Sequence, residues 1–256
     1  MIAPALLVGA DGRGSAVRRA TGIELDSQPV SSYVAGLLIE GLEGPSDHDV
    51  VADDALGMCL LLHQGGGRAR AYHAVPDGLQ TRWTGPDGPA RFVSDLAEAS
   101  PLLRDAVGSA RPAGPCRTYP GTDTWTDRPY ADGVVLIGDA AGHNDPTIGC
   151  GLSIAMRDAR IVRDLVLAGA CSSDAFAPYG DERADRMRRL RLVADVMVTG
   201  LVEDAPNRTE RRAFMAESLA TLAAPVFPLV LGMFAGPESI PDEVVDEAVL
   251  DVVRAA

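Results

Sequence analysis

The segment GVVLIGDAAGHNDPTIGCGLSIAMRDARIVRDLVL, residues 133–167, constrains the fold more than any other part of the chain. Its first six residues are a nearly unbroken apolar run, the pattern of a strand buried on both faces of a parallel sheet. A Gly-Asp turn, Gly138-Asp139, ends the run, and Pro146 stiffens the loop that follows. Gly149 and Gly151 then open a helix. On it Leu152, Ala155, Met156, Ala159, Val162 and Val166 recur at helical spacing and are expected to form the core-facing stripe. Arg157, Arg160 and Asp164 lie toward the other side.

This strand–turn–helix places the Asp139 carboxylate at the carboxyl end of a buried strand, where α/β sheets put their ligands. A carboxylate there accepts from a sugar-like hydroxyl. Gly149 and Gly151 let the backbone run close beside a flat ring, and the helix start turns free N–H groups and a positive dipole end toward it. These are the needs of a flavin. Its ribityl hydroxyls want an acceptor, and its pyrimidine edge, which gains negative charge on reduction, wants donors.

A weaker marker, LLVGADGRGSAVRR, occupies residues 6–19. Residues 5–10 read as a short strand stopped by Asp11-Gly12, and Ser15 as the cap of a helix reaching to about Thr21. Asp-Gly after a strand is by itself a common turn. Paired with the Gly-Asp segment 128 residues later, from Asp11 to Asp139, it gains weight.

The two segments resemble two of the three flavin-binding motifs of FAD-dependent monooxygenases of the aromatic-hydroxylase (p-hydroxybenzoate hydroxylase-like) family. That family reads GDAAHxxxPxxGxGxN where this chain has GDAAGHNDPTIGCGLS, and roughly GADGxxSxVR where it has GADGRGSAVR. The resemblance covers residues 5–170. It implies that Asp139 contacts the ribityl chain and that Pro146 lies near the reactive face of the ring. The backbone of Gly149, Cys150, Gly151, Leu152 and Ser153 would hold the pyrimidine end. It implies further that Asp11 sits near the ribityl-pyrophosphate region and that Arg18 helps hold its turn. His143 is a candidate to line the substrate pocket. Three positions depart from the pattern: Gly142 stands in the usual His position, Cys150 replaces a longer polar residue, and Ser153 replaces Asn. Cys150, at a helix N-terminus, is expected to have a lowered pKa and raised reactivity.

The fold so implied is α/β with an α+β insertion: a partial FAD-binding Rossmann-like domain, a mostly antiparallel substrate-domain sheet and C-terminal helices. The reaction implied uses FAD, NADPH or NADH, and dioxygen, a flavin hydroperoxide hydroxylating a small, often aromatic substrate. The third family motif, an N-terminal GxGxxG, is absent from these residues. The chain is therefore expected to be N-terminally truncated, to bind FAD weakly or not at all by itself, and to be completed by a second polypeptide or remain a non-catalytic relative. Halogenation and isoprenoid reduction are rival reactions on the same scaffold; the halogenase WxWxIP motif is not present.

The expected boundaries are residues 1–24 and 115–170 for the FAD-binding part, 25–114 for the sheet domain and 171–256 for a helical region. VSSYVAGLLIE, GMCLLLHQ and RARAYHAVP read as strands, with HQGGGR as a hairpin turn. SDLAEASPLLRDAVG reads as helix around Pro101 and CRTYPGTDTW as strand. Arg183, Arg186, Arg188, Arg189 and Arg191 are expected on a solvated helix face paired with local acids, the alternative being an anion or partner site. The stripe beneath them is Met187, Leu190, Ala194, Met197 and Leu201. NRTERRAFMAESLATLAAP and PDEVVDEAVLDVVRAA read as further helices.

Net charge of -13 with 23 basic residues, all arginine, argues against a nucleic-acid partner. No apolar run reaches the ~18 residues of a membrane span, and MIAPALLVGAD lacks the basic start of a signal peptide, so a cytoplasmic protein is expected. Cys59, Cys116, Cys150 and Cys171 make no CxxC pair, and the three outside the motif are read as small buried hydrophobes. His48, His63 and His73 are read as surface or satisfied histidines. No metal-ligand set is found.

Overall fold

The computed structural model describes residues 4–43, 49–53 and 56–256; His48 lies outside them. Strands are β1 Leu7–Gly9, β2 Asp26–Ser27, β3 Ser32–Glu40, β4 Val50–Asp53, β5 Met58–Gly65, β6 Arg68–Pro76, β7 Arg111–Pro112, β8 Arg117–Gly121, β9 Thr124–Trp125, β10 Tyr130–Ala131 and β11 Val134–Leu136. Helices are α1 Ala16–Thr21, α2 Gly88–Ala99, α3 Pro101–Val107, α4 Gly151–Leu167, α5 Ala177–Met197, α6 Arg208–Ala220, α7 Val226–Ala235 and α8 Ala248–Ala255. The architecture is mixed α/β. Two compact units share the chain. One comprises Met1–Pro29, Thr122–Asp195 and Leu222–Val249; the other comprises Val30–Gly121, Val196–Thr221 and Leu250–Ala256. The C-terminal third thus contributes to both.

The second unit is an antiparallel sheet in the order β4-β5-β6-β3-β7, with β8 also paired to β3. The HQGGGR turn joins β5 to β6, and Gly65, Gly66 and Gly67 all take the left-handed conformation that such a turn demands. Beneath the sheet, Leu37, Leu61, Phe92, Leu96, Leu103 and Trp83 form a core with α2 and α3. The two helices are separate because Ser100 is extended before Pro101, and its hydroxyl caps α3 by accepting from the Leu103 N–H. His73 is buried in this core, stacked on Trp83 with ring centroids 5.1 Å apart.

The first unit is built on a three-stranded sheet in the order β1-β11-β10. β1 and β11 run parallel with Leu7 opposite Val134 and Gly9 opposite Leu136. Parallel pairing brings the carboxyl ends of the two strands to one edge, so Asp11 and Asp139 leave the sheet side by side. β11 is buried along its whole length, as its continuous apolar run requires.

Four expectations are corrected. On α4 the buried residues are Ile154, Asp158 and Val162, whereas Leu152 and Met156 of the expected stripe are 76% and 67% exposed. The inward face is centred on a carboxylate, which an apolar-periodicity count assigns to solvent. On α5, Arg183 and Arg186 are not solvated: they are 1% and 3% exposed, because Asp158 lies against them. Arg188 and Arg189 do pair with Asp185 on an exposed face. The final helix starts at Ala248, after a single turn at Asp242–Val244. Cys171 is exposed, not buried. Among the described residues, no helix is long and apolar enough to cross a membrane.

Candidate functional site

The site is a pair of turns at the carboxyl ends of β1 and β11. In the first, Asp11 turns inward on its own chain. Its carboxylate accepts from the Ser15 hydroxyl and from the amides of Ala16 (2.6 Å) and Val17 (3.2 Å) at the start of α1. The Ser15 hydroxyl bond, with these amides, holds the Asp11 carboxyl down at about 2. Ser15 caps the same helix through the Arg18 amide. The structural task of Asp11 is therefore to build the turn. Arg18 then ties the two turns together, donating to Ala140 O at 2.8 Å and to Arg13 O at 2.9 Å. Arg13 in turn reaches Asp139 at 3.4 Å, an exposed pair worth little by itself.

The second turn, Gly138–Ala141, is gripped from beneath by groups that sequence reasoning missed. Asp158, fully buried on α4, accepts from the Gly138 amide at 2.8 Å, from Arg183 at 3.0 Å and from Arg186 at 2.6 Å. Arg183 spends its remaining donors on the carbonyls of Gly138, Ala141 and Gly142. Tyr179 donates to Leu136 O at 2.8 Å, and burial, with the nearby Asp158 charge, pushes its phenol up so that it stays a donor. Every carbonyl of a tight buried turn needs a donor; here one guanidinium supplies three. The turn also lies hard against α4, since a Cβ on Gly138 would meet the Ala155 methyl at 3.3 Å. Asp139 is thereby presented outward with its side chain 41% exposed, while its neighbours are held by these bonds.

Beyond Gly142 the chain runs along β9. Thr124 N donates to His143 O and His143 N to the Thr124 hydroxyl, whose oxygen lies 2.8 Å from His143 Nδ1. Burial, with Arg13, lowers His143 to about 4, so the imidazole is neutral. Among the described residues, the buried Nε2 on the other side of the ring has no partner. The loop then passes Asp145, which caps the turn at Pro146–Ile148 through the Thr147 amide, and reaches Gly149 in the left-handed conformation. Among the described residues, nothing lies within 4 Å of a Cβ placed on Gly149 or Gly151, and Gly151, Leu152 and Ser153 at the start of α4 are exposed. Their amides precede the first intrahelical bond, which Ile154 makes to Cys150 O. The surface so formed has an outward carboxylate, an open glycine backbone and a helix N-terminus. It fits a ligand with hydroxyls at one end and a flat, electron-accepting ring at the other. Among the described residues no cluster of His, Cys, Asp or Glu could hold a metal ion.

Cys150 is corrected as a reactive thiol. It is buried, its sulfur faces Ile148 O and Met233 O, and burial pushes its pKa up. Desolvation here outweighs the helix end. Exposed Cys171 is expected to be alkylated first in brief iodoacetamide treatment with peptide mapping; labelling of Cys150 ahead of it would contradict this burial.

A family model described as FAD binding domain matches residues 1–192, and the chain belongs to that family. Its sequence is similar to 6-methylpretetramide 4-monooxygenase of Streptomyces rimosus, 27% identical over 195 residues covering 71% of this chain and 43% of the relative. It is also similar to a 3-hydroxy-4-methyl-anthranilyl-[aryl-carrier protein] 5-monooxygenase of Streptosporangium sibiricum, 31% identical over 52% of this chain and 44% of the relative. In fold it matches Klebsiella pneumoniae HpxO complexed with FAD, with a TM-score of 0.65 and 20% identity over 92% of this chain and 60% of that one. The chain thus spans less than two thirds of each of these proteins.

Proposed function

We propose that this chain supplies the ring-side half of the FAD site of a flavin-dependent monooxygenase that hydroxylates a small aromatic substrate with NAD(P)H and dioxygen. The observation that carries the reading is the open N-terminus of α4 beside outward-facing Asp139, at the carboxyl ends of two parallel strands. On this reading FAD supplies the redox chemistry, and the protein supplies position, field and exclusion of water. Asp139 accepts from the ribityl chain, the Gly149–Ser153 amides donate to the pyrimidine edge, and neutral His143 lines the substrate pocket. The adenosine-diphosphate half is held by a GxGxxG segment outside these residues, in a second polypeptide or in a longer form of the chain.

Half a site makes a distinctive affinity pattern. FAD and FMN, which share the ring and ribityl half, are expected to bind the purified chain weakly and within about threefold of each other, because AMP makes no contact. Asp139→Ala removes a charge-assisted bond of about 1.5–3 kcal/mol, so both flavins weaken about tenfold to a hundredfold. Asp11→Ala shows as lost stability instead, since Asp11 caps α1. Equilibrium dialysis with each flavin decides. FAD retained stoichiometrically through desalting while FMN is lost would mean that an adenosine site lies within this chain; binding of neither would end the reading.

A further inference from the structure

Around the base of the His143–Gly149 loop lies a buried polar cluster that the proposed flavin contacts do not use. Asp123, 1% exposed, receives the Asn144 side chain at 2.5 Å. Asp145, 4% exposed, belongs to the same loop. Asp195, on α5, receives both of its bonds from the Gln28 amide, at 3.1 and 3.4 Å, and the Gln28 backbone N–H donates to Asp123 O. Two cations act on the cluster: Arg13 on Asp145, and Arg191, which stacks over the Trp125 ring at 4.1 Å and forms no ion pair within 4 Å among the described residues. Among the described residues, two further buried oxygens of the loop, Asn144 Oδ1 and Thr147 Oγ1, have no partner although their residues are 6% and 7% exposed.

We propose that Asp123 carries a proton on the acid side of neutrality, and that its carboxylic acid, hydrogen-bonded to the Asn144 side chain, is a latch holding the His143–Gly149 loop against the Thr122–Trp125 segment. The cluster has an excess of acceptors over protons. Buried Asp123 and Asp145 and half-buried Asp195, with no cation in ion-pair contact among the described residues, repel one another when all are ionised, and a shared proton relieves both the repulsion and the desolvation cost. The 2.5 Å separation between Asp123 and Asn144 suits O–H···O better than N–H···O. Turning the Asn144 carboxamide, whose two arms are nearly equal in shape, lets the acid donate to Oδ1. Thr124 beside Asp123 holds His143 by three bonds, so the latch sits where the loop is attached.

The facing groups set the direction. Burial raises Asp123 to about 7; the Asn144 bond and the Asp145 amide oppose the rise, while the Asp145 and Asp195 charges add to it. Burial also raises Asp145 and Asp195, and Glu247 adds to the rise in Asp195. Arg191, whose own pKa burial lowers, keeps its charge and opposes the rise at Asp195, and Arg13 opposes it at Asp145. When Asp123 ionises, its charge faces Asp145 within the loop it holds, and the loop loosens. The latch does not depend on the flavin reading.

Trp125, two residues from Asp123 and under Arg191, reports on it. Intrinsic fluorescence of the full chain is expected to show a transition centred near pH 7 that is absent in Asp123→Asn, whose amide mimics the neutral acid, and persists in Asp195→Asn. The stability sign follows from linkage. A raised folded-state pKa gives stability that is full below about pH 4 and lost as pH rises through about 7. The urea midpoint of the wild type should therefore fall across that window relative to Asp123→Asn. Carboxyl NMR of the aspartate-labelled wild-type chain keeps the test independent of any variant's folding. A carboxyl that titrates near neutrality supports the latch; all aspartates ionised below about pH 5, or a neutral transition surviving in Asp123→Asn, overturns it.

Discussion

Arg183→Ala is expected to cost about 3–5 kcal/mol of stability, the range for removing one partner of a buried ion pair. A domain's whole stability is about 5–15 kcal/mol, so much of the folded population is at stake. The size follows from what is left behind. Asp158, with no exposed surface, keeps Arg186 and the Gly138 amide but loses the Arg183 bond at 3.0 Å. The carbonyls of Gly138, Ala141 and Gly142 lose their donor in the same step. Arg183→Lys keeps the charge but offers a single ammonium where a planar fork served four acceptors, so it should rescue only part of the loss. Urea unfolding of the three proteins measures both differences. A loss below about 1 kcal/mol for the alanine variant, typical of an exposed pair, would show that the Gly138–Ala141 turn holds itself.

The same network shows where the sequence stopped being informative. The turn itself was legible, because glycine, aspartate and proline each have a local conformational reason to stand where they do. Ser15 at the head of α1 and the Gly65–Gly67 hairpin were legible for the same reason. Asp158, Arg183 and Arg186 were not, since a charged residue within a helix counts toward solvent unless its partner is known. Those partners are separated by 25 and 28 residues. Without Asp158 as an inward residue, the apolar spacing of α4 turns Leu152 and Met156 toward the core, where the structure has them exposed. Asp11 was legible as a turn residue, but that its carboxylate is consumed by the amides of α1 needed coordinates. Asp123 and Asn144, 21 residues apart and on separate segments, carry no local signature at all. Cys150 was misread because a helix end argues for a thiolate only when the sulfur reaches water.

Gly142→Ala should be nearly as damaging as loss of Arg183, and its contrast with Gly149→Ala separates two causes. Both glycines have positive φ, 111° and 67°. For Gly149 the conformation is left-handed helical and a methyl would meet nothing within 4 Å, so the cost is the intrinsic one of about 1–2 kcal/mol. Gly142 sits at φ 111°, ψ 142°, close to a region that only glycine enters readily. There a Cβ would also lie 2.4 Å from Thr124 O and 2.8 Å from Trp125 Cα. Those are backbone atoms of β9, which is pinned by its bonds to His143, so no side-chain rotation relieves the clash. Strain of about 1–3 kcal/mol and overpacking of about 1–3 kcal/mol then add, for a loss of about 2–6 kcal/mol. Gly142→His, which restores the usual residue of the family pattern, should be at least as costly, because β9 occupies the space its ring would need and His143 has taken the place beside Thr124. Chemical denaturation of Gly142→Ala, Gly142→His and Gly149→Ala under one set of conditions gives the order. Equal losses for the two alanine variants would mean that β9 yields, and that the departure from the family pattern at Gly142 has no steric cause.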